Sequence, residues 1–391
     1  MFHPPALLAY YLHSLNPIIF AFGPIKARWY GFAYLMGFLI AYLLIRKLSR
    51  DGMLRLAPQK VPDLVLNCCI FGVLVGGRLG FVFFYDLPRA LHDGYTPMLW
   101  HFYSEFPYWG VLNVMGGGMS AHGGVVFTIL VLIYFGWRHT VRPPGGGPLP
   151  DRNKLIINLG DAACMVVPVG LCFGRIANFI NGELYGRPTT VPWAVQFPSE
   201  IYAPTNDQMD PSVAAKLPGV LHQLYGPYVD PDTAMKSLTT ALQNHSTAAM
   251  NAVRAILPPR HPSQLYEALL EGVLLFVIVW TIGRLWRKDG MASGAFLTFY
   301  PIMRIIGEQF RVGDNATGSG GQSGGISAGV IYSLLMIVPG LIFWIYWIIR
   351  DRRVPWIPQG EAGGEGAFPV ETSSTAGGGA AERPAESGRS A

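Results

Sequence analysis

The amino-acid sequence predicts an all-α, polytopic integral membrane protein with about seven transmembrane helices. Of its 391 residues, 51% are hydrophobic and only 14% are charged, whereas a soluble domain has about 25% charged residues. The apolar residues are also grouped into runs of about 20 residues, the length that an α-helix needs to cross a bilayer. This composition therefore excludes a soluble domain with a single anchor.

Residues 1–28 are apolar but interrupted by four prolines, and we interpret them as an interfacial N-terminal segment. Four spans follow within residues 29–187, and three more lie within residues 261–353. Residues 86–118, which carry many aromatic side chains, are expected to lie along the membrane surface. The predicted limits of the spans are 29–48, 62–85, 119–137, 155–180, 262–286, 291–311 and 326–349.

Two polar segments are expected outside the membrane. Residues 188–260 form a predicted periplasmic insert between spans 4 and 5, with short amphipathic helices such as residues 233–242. Residues 354–391 are rich in Gly, Ala, Glu and Pro. Because such a composition has little apolar surface to bury, this tail is predicted to be disordered.

The orientation follows from the basic loops. Lysine and arginine are concentrated after spans 1, 3, 5 and 7, as at Arg50, Arg142, Lys288 and Arg353. Because basic loops remain cytoplasmic, the N-terminus is predicted outside and the C-terminus in the cytoplasm. The net charge of +5 lies mostly in these loops, so no nucleic-acid partner is expected.

The four cysteines, Cys68, Cys69, Cys164 and Cys172, all fall within predicted spans. We expect them to contribute to packing and not to a disulfide framework. No cleavable signal peptide is evident at the N-terminus. No spacing of His, Cys and carboxylate residues suggests a metal site, and no cofactor is expected.

A cluster of polar residues closes span 4 in the sequence GRIANFINGELYGR, residues 174–187. On a helix, Arg175, Asn178 and Gly182 would share one face. Charged side chains at membrane depth are costly and usually face a bundle interior or a wet cavity. Guanidinium and amide donors beside a carboxylate suit a phosphate and a nearby proton transfer. The alternative is an arginine that snorkels to the lipid headgroups.

Two further spans carry charged faces. Arg304, Glu308 and Arg311 share a face of span 6, and Gln264, Glu267 and Glu271 share a face of span 5. These carboxylates could bind substrate, or they could neutralise arginines inside the bundle. Arg78 lies among glycines in span 2, and His122 lies between glycines at the start of span 3. The predicted topology brings four segments to the outer side of the membrane, namely residues 175–187, His122, Tyr266 and Arg311.

Together these motifs resemble the signature of the bacterial prolipoprotein diacylglyceryl transferases. The resemblance extends in order from residue 29 to about residue 350. One departure is the segment 199–259, which is longer than expected for the family. The matching segments are residues 29–31, 76–80, 122–124, 174–187, 261–267 and 304–311.

The resemblance implies an enzyme that moves the diacylglyceryl group of phosphatidylglycerol to the thiol of the lipobox cysteine in a preprolipoprotein signal peptide. Glycerol phosphate would be released, and the reaction would be the first step of lipoprotein maturation. It also implies a multi-pass protein of the bacterial plasma (inner) membrane, surrounded by membrane lipids, with its active site toward the periplasmic face.

The expected catalytic residues are His122 as the base, Arg175 and Arg304 as phosphate ligands, and Tyr30 as a partner of the base or of the substrate. A thiolate stabilised by arginine alone is the alternative to a histidine base. Glu183 and Glu308 are expected to orient the arginines. The full set of predicted substrate-binding residues is Asn178, Asn181, Glu183, Gly186, Arg187, Glu267, Glu308, Arg311 and Arg78.

Two other functions are compatible with parts of the sequence. A secondary transporter would also place Arg and Glu within the membrane, but the halves of the chain show no internal repeat, and the charges gather on one side. A rhomboid-like protease is suggested by GQSG at residues 321–324. That short pattern lies in a Gly/Ser-rich loop, where it arises from composition.

Overall fold

The computed structural model describes residues 10–22, 25–104, 108–113, 118–139, 152–203, 209–312 and 328–350, and every structural statement below concerns these residues. The described chain is mostly helical, in agreement with the predicted class. The predicted disordered tail at 354–391 and the GQSG pattern at 321–324 lie outside the described residues.

Three short strands precede the first long helix. They are β1 (Tyr11–Leu12), β2 (Ile18–Phe22) and β3 (Ile25–Arg28), and β2 and β3 form an antiparallel hairpin. These strands are a local departure within the mostly helical chain, and the predicted spans did not include them. The strands are short, and the partner of β1 lies almost two hundred residues away, so no local sequence pattern predicts the pairing. The interfacial location of residues 1–28 stays a prediction.

Four long helices follow: α1 (Trp29–Arg50), α2 (Pro58–Asp93), α3 (Ala121–Arg138) and α4 (Arg152–Asn181). The next region contains β4 (Val195–Gln196), the short α5 (Ser199–Tyr202), α6 (Pro211–Tyr225), α7 (Pro231–Gln243) and α8 (Thr247–Arg254). The last three elements are α9 (Ser263–Trp286), α10 (Met291–Glu308) and α11 (Ala328–Ile349).

Each of the seven predicted spans coincides with one long helix of the described chain. By length and composition, five of these helices can cross a membrane, namely α1, α2, α3, α4 and α9. In α11 the apolar stretch is shorter, Ser333–Ile349, and α10 carries the charged residues of the predicted site. The number of seven spans and the orientation of the termini stay predictions.

Helix α4 lies at the centre of the bundle and packs against α1, α3, α9 and α10. Its two ends contact different parts of the chain. The turn after Asn181 meets Tyr30 at the start of α1, whereas Asn158 in the first turns of α4 accepts a hydrogen bond from the backbone of Arg55, beyond the end of α1. The two helices are therefore antiparallel. We call the end of the bundle at Asn181 the site end.

The opposite end of the bundle has the main apolar core and several polar contacts. Asp161 of α4 accepts hydrogen bonds from the backbone N–H groups of Gly290 (2.6 Å) and Ser293 (2.8 Å), so it caps the start of α10. Because α10 is anchored to α4 here, its far end meets α4 in a fixed register. The buried core residues include Ile45, Leu48, Phe135, Leu159, Val279 and Ala292.

The predicted insert is folded around its own core. Helix α7 contains the predicted amphipathic segment 233–242, which the structure confirms, and it packs with α6 and α8. Asp230 begins α7 by accepting a hydrogen bond from the N–H of Thr233 (3.0 Å). Strand β1 pairs in parallel with β4, and Leu12 enters the same core. Strand β1 therefore belongs structurally with the insert, which the sequence did not indicate.

Candidate active site

The site begins where α4 ends. Gly182 adopts a left-handed conformation (φ +69°) and ends the helix, while the N–H of Glu183 donates to the carbonyl of Asn178 (2.9 Å). This is a glycine cap of a helix C-terminus. The prediction that Gly182 shares a helical face with Arg175 is wrong, because the helix ends one residue before Gly182.

The turn after the cap is held by two other elements. Gln264 and Ser263, in the first turn of α9, donate from their side chains to the carbonyls of Glu183 (2.5 Å) and Leu184 (3.0 Å). Ser199 of α5 donates to the carbonyl of Gly182 (2.6 Å). The insert and α9 thus fix the conformation of the turn together.

Gly186 lies in a tight backbone crossing at the end of this turn. Its N–H donates to the carbonyl of His261 (2.9 Å), and the next N–H, that of Arg187, donates to the carbonyl of Phe310 (2.9 Å). A Cβ atom at Gly186 would lie 2.4 Å from the Phe310 oxygen. Only glycine allows this approach. The predicted substrate contact at Gly186 is therefore replaced by a packing role, while the exposed Arg187 donates from Nε to the carbonyl of Arg311 (2.7 Å).

The centre of the site is a network of arginines and carboxylates from three helices. Arg175 of α4 reaches two glutamates of α9: its Nη1 lies 3.1 Å from Glu267 Oε2 and its Nη2 lies 3.0 Å from Glu271 Oε2. Arg304 of α10 contacts the other oxygens of the same pair, with its Nη1 3.0 Å from Glu267 Oε1 and 3.3 Å from Glu271 Oε1. The two carboxylates thus bridge the two guanidinium groups.

Two more residues complete this network. Glu308, one turn after Arg304, lies 3.2 Å from Arg304 Nη2, and Nη1 of Arg311 lies 3.7 Å from Glu267 Oε1. The side chains of Glu267 and Glu271 are 0% exposed, whereas those of Arg175 and Arg304 are 16% and 13% exposed. The carboxylates therefore lie behind the guanidinium groups, which form the more accessible layer. We call these six residues the arginine–carboxylate cluster.

A second polar group lies beside this cluster. The hydroxyl of Tyr30 donates to Glu183 Oε2 (3.1 Å), and Nδ2 of Asn181 donates to Glu183 Oε1 (3.2 Å). Arg175 also interacts electrostatically with Tyr30. The sequence interpretation made Glu183 an orienter of the arginines. Instead, Glu183 links α1 to the end of α4, and the carboxylates on the arginines come from α9 and α10.

His122 lies in the first turn of α3, which begins after Ser120. Its side chain is exposed, and its Nδ1 lies 3.2 Å from the hydroxyl of Tyr85 on α2. The far end of α3 packs with the first turns of α4, where Gly136 meets Ile156, so His122 lies toward the site end. Within the described residues, the side chain of His122 forms a hydrogen bond with Tyr85 and not with the arginine–carboxylate cluster.

Arg78 is buried, and its guanidinium donates hydrogen bonds to backbone carbonyls of a neighbouring loop. It donates from Nε to the carbonyl of Val111 (2.7 Å), from Nη1 to Gly118 (2.8 Å), and from Nη2 to Gly110 (2.8 Å) and Asn113 (2.9 Å). The predicted contact of Arg78 with substrate does not fit this geometry, because all three nitrogens already donate to carbonyl groups. Its position among glycines reflects close packing of α2 on α3, where Gly80 meets Gly123.

Comparison with known proteins identifies the family. The family model described as prolipoprotein diacylglyceryl transferase matches residues 17–346. This chain belongs to that family. It is 35% identical over 375 residues to the phosphatidylglycerol–prolipoprotein diacylglyceryl transferase of Bdellovibrio bacteriovorus, covering 90% of this chain and 98% of the relative. The enzyme of the same name from Serratia proteamaculans is 36% identical over 341 residues, covering 87% and 95%.

For a prolipoprotein diacylglyceryl transferase, the structure gathers most of the predicted residues at one end of the bundle. Tyr30, Arg175, Arg304, Glu267 and Glu308 lie there with Asn181, Glu183 and Arg311. Asn178 is buried beside them and caps the turn through its carbonyl. The described residues contain no group of three His, Cys, Asp or Glu side chains that could hold a metal ion.

The site also contains residues that the sequence interpretation left out of the predicted set. Glu271 contacts both Arg175 and Arg304. The spacing of span 5 had placed Glu271 on the same face as Glu267, so a signal existed. It was not enough to choose Glu271, because the spacing did not show that both arginines would reach that turn.

A second omission is Arg260, which joins the insert to the site. It donates to both oxygens of Glu200 (Nε to Oε2, 2.8 Å; Nη2 to Oε1, 2.5 Å), to Asp210 (3.0 Å) and to the carbonyl of Gly186 (3.3 Å). Its guanidinium lies over the ring of Tyr185, 5.1 Å from the centroid. Burial raises the pKa of Glu200, and the bond from Arg260 opposes that rise. No spacing links residues 200, 210 and 260 in the sequence.

Proposed function

We propose that this chain transfers the diacylglyceryl group of phosphatidylglycerol to the lipobox cysteine thiol of a preprolipoprotein and releases glycerol phosphate. Membership of the family supports the reaction, and the arginine–carboxylate cluster supports its location in the molecule. The secondary transporter, considered from the sequence, has no such support. The enzyme works in the bacterial plasma membrane, with the site end toward the periplasm, as the basic loops predict.

The observation that carries this proposal is the shared binding of Arg175 and Arg304 to one pair of buried carboxylates. Each guanidinium has five N–H donors in a fixed plane. The contacts with Glu267, Glu271 and Glu308 involve only Nη1 and Nη2. The buried carboxylates therefore hold the guanidinium planes of Arg175 and Arg304 in fixed orientations. The remaining N–H donors, on the accessible edges, can bind the oxygens of a phosphate.

The charge balance of the cluster suits a reaction that creates negative charge. Three arginines face three glutamates, so the cluster is neutral when all six are ionised. During the reaction the sulfur forms a bond to the terminal glycerol carbon of the diacylglyceryl group, and the bond from that carbon to the phosphate oxygen breaks. The phosphodiester monoanion becomes a phosphate monoester, which carries more negative charge. Preorganised guanidinium groups stabilise this change more than they stabilise bound substrate.

The thiol must lose its proton before or during attack. His122 is the base in this proposal, with Tyr85 holding its Nδ1 side through a 3.2 Å contact. The alternative is a thiolate formed beside the arginines without a histidine. Tyr30, Glu183 and Asn181 form a hydrogen-bonded group next to Arg175, and Asn178 supports the same turn. These residues would position the headgroup or the lipobox.

A direct assay tests the proposal. The purified chain is incubated in vesicles that contain phosphatidylglycerol with a synthetic lipobox peptide, and the peptide is analysed by mass spectrometry. A diacylglyceryl adduct on the cysteine is expected, together with free glycerol phosphate. Vesicles of phosphatidylcholine alone, and a peptide with serine in place of the cysteine, serve as controls. Absence of the adduct with phosphatidylglycerol and the cysteine peptide would contradict the proposal.

A further inference from the structure

The β2–β3 hairpin presents large apolar side chains that no other part of the described chain covers. Phe20 is 62% exposed and Phe22 is 81% exposed, and Ile19, in the same strand, is also exposed. Single exposed apolar residues are common on proteins, but a contiguous group indicates an interaction surface. We call Phe20 and Phe22 with their hairpin the apolar hairpin.

The register of the hairpin separates its two faces. Phe20 pairs with Ala27 and Phe22 pairs with Ile25, whereas Ala21 pairs with Lys26. Side chains alternate along a strand, so Phe20 and Phe22 lie on one face and Ala21 lies on the other. Phenylalanine is therefore concentrated on the first face.

The apolar hairpin is tied to the start of a membrane helix. Strand β3 ends at Arg28 and α1 begins at Trp29 without an intervening loop. The N–H of Trp29 donates to the carbonyl of Pro17 (3.1 Å), which closes the base of the hairpin. The next residue, Tyr30, contacts Glu183 of the site. The hairpin therefore lies at the site end, where α1 enters the membrane.

Physical chemistry limits where such a hairpin is stable. A two-stranded hairpin is marginally stable in water, and this one has its phenylalanines uncovered. It cannot lie in the hydrocarbon centre of a bilayer, because its open edges would leave backbone groups without partners. The boundary between headgroups and acyl chains meets both requirements, since it accepts aromatic rings on one side and hydrates the edges on the other.

We propose that the apolar hairpin docks with Phe20 and Phe22 in the lipid leaflet at the site end, beside the arginine–carboxylate cluster. Continuity with α1 favours lipid over a protein partner, because the chain passes directly from the hairpin into a candidate span. The exposed Arg28 at the base carries a positive charge that suits anionic headgroups. In this position the hairpin places Tyr30 and the site at the depth of the lipid headgroups.

The test measures the depth of a probe on the hairpin. A Phe22→Cys variant of the full chain is labelled with a small nitrobenzoxadiazole fluorophore in vesicles that contain phosphatidylglycerol. Nitroxides on carbon 5 or carbon 14 of the acyl chains report depth, and aqueous iodide reports exposure to water. Tyr228→Cys is the matched control, since Tyr228 lies in the insert and is 99% exposed. The parent chain, labelled in parallel, corrects for its four native cysteines.

The label at position 22 is expected to be quenched more by the carbon 5 nitroxide than by the carbon 14 nitroxide, and to be at least threefold less sensitive to iodide than the label at position 228. Phe20→Cys gives a second measurement on the same face if the first variant does not fold. Equal iodide sensitivity at 22 and 228 would overturn the proposal. Shielding that requires a high protein-to-lipid ratio would instead indicate a second copy, and shielding that requires the lipobox peptide would indicate the substrate. Either result also overturns the proposal.

Discussion

Two buried arginine networks in this molecule are built from the same residue types but differ in geometry. Arg260 in the insert is enclosed: its guanidinium binds Glu200, Asp210 and the carbonyl of Gly186, and it covers the ring of Tyr185. Among the described residues, Arg175 of the arginine–carboxylate cluster is bound by the carboxylates of Glu267 and Glu271, and its side chain remains partly accessible. The guanidinium of Arg260 is contacted along several edges and on one face, whereas the guanidinium of Arg175 is contacted by carboxylates from one direction.

From this difference we infer that Arg260 is a structural tie and that Arg175 and Arg304 belong to a binding site. An arginine whose donors are distributed among a carboxylate pair, a backbone carbonyl and an aromatic face gains nothing from a ligand, and it stabilises the local fold. An arginine that is held from one side by buried carboxylates is oriented but keeps donors for another acceptor. If this distinction is correct, substitutions at Arg260 should change stability, and substitutions at Arg175 and Arg304 should change rate.

The largest effect is expected for Arg260→Met. The change leaves Glu200 buried without its bidentate partner, which typically costs about 3–5 kcal/mol. Amide hydrogen exchange in α6, α7 and α8 should accelerate accordingly. Arg254→Met is the control, because Arg254 on α8 is exposed. Adding Glu200→Leu to the first variant should restore part of the protection. Unchanged exchange in Arg260→Met would show that this network is not a structural tie.

The next effect concerns the cluster. Lysine retains the charge of arginine but loses the planar two-point contact, so Arg175→Lys or Arg304→Lys should lower turnover about 100- to 1,000-fold. Lipid binding should change less than rate, and the amount of protein in the membrane should remain close to that of the parent. Arg284→Lys, at the opposite end of the bundle beside Asp51, is the control and should retain parent turnover. Near-parent rates in both cluster variants would make these arginines structural partners of the glutamates.

A third effect is a dependence of stability on pH. His13 is packed between the rings of Phe179 and Phe197, and burial lowers the pKa of His13 from 6.5 to about 4. Between these values the unfolded chain binds a proton that the folded chain does not, so stability falls as pH decreases from about 6.5 to about 4, by up to about 3 kcal/mol. Below about pH 4 the stability that the neutral His13 contributes is fully lost.

Thermal unfolding of the insert is monitored by hydrogen exchange at pH 7 and at pH 5. The stability of the insert at the two pH values is then compared. His13→Gln removes the titrating group and should flatten the slope over that interval. A variant with the same slope as the parent would assign the pH dependence to other groups.

The smallest effect is expected for His122→Ala. A free thiol is already a few per cent ionised at neutral pH, so loss of a histidine base can lower turnover by only about 30-fold. Raising the pH toward the thiol pKa, about 8.5, should restore much of that loss. Tyr85→Phe, which removes the partner of His122 Nδ1, should lower turnover less. Parent turnover in His122→Ala at pH 7 would favour a thiolate stabilised by arginine alone.

Several features of the protein follow from local sequence. In the described chain, apolar runs of membrane length place six of the seven long helices within about three residues of their observed limits, because each helix satisfies its own backbone groups regardless of its neighbours. Helix α2 (Pro58–Asp93) extends beyond the predicted 62–85 at both ends. The helical period places Arg304 beside Glu308, and Glu267 and Glu271 on one face of α9. The amphipathic segment 233–242 identifies α7 for the same reason. Together with the family motifs, these patterns point to the reaction from the sequence alone.

Only the tertiary structure decides which side chains meet across helices. The sequence placed Glu183 with the arginines, Gly186 and Arg78 with the substrate, and Gly182 on a helical face. Those contacts depend on where α4 ends and on how α2, α9 and α10 approach it, which local spacing does not encode. The enclosure of Arg260 and the pairing of β1 with β4 likewise join residues far apart in the chain. Charge and period are local properties of a sequence, whereas the partner of a buried charge is set by packing over long sequence separations.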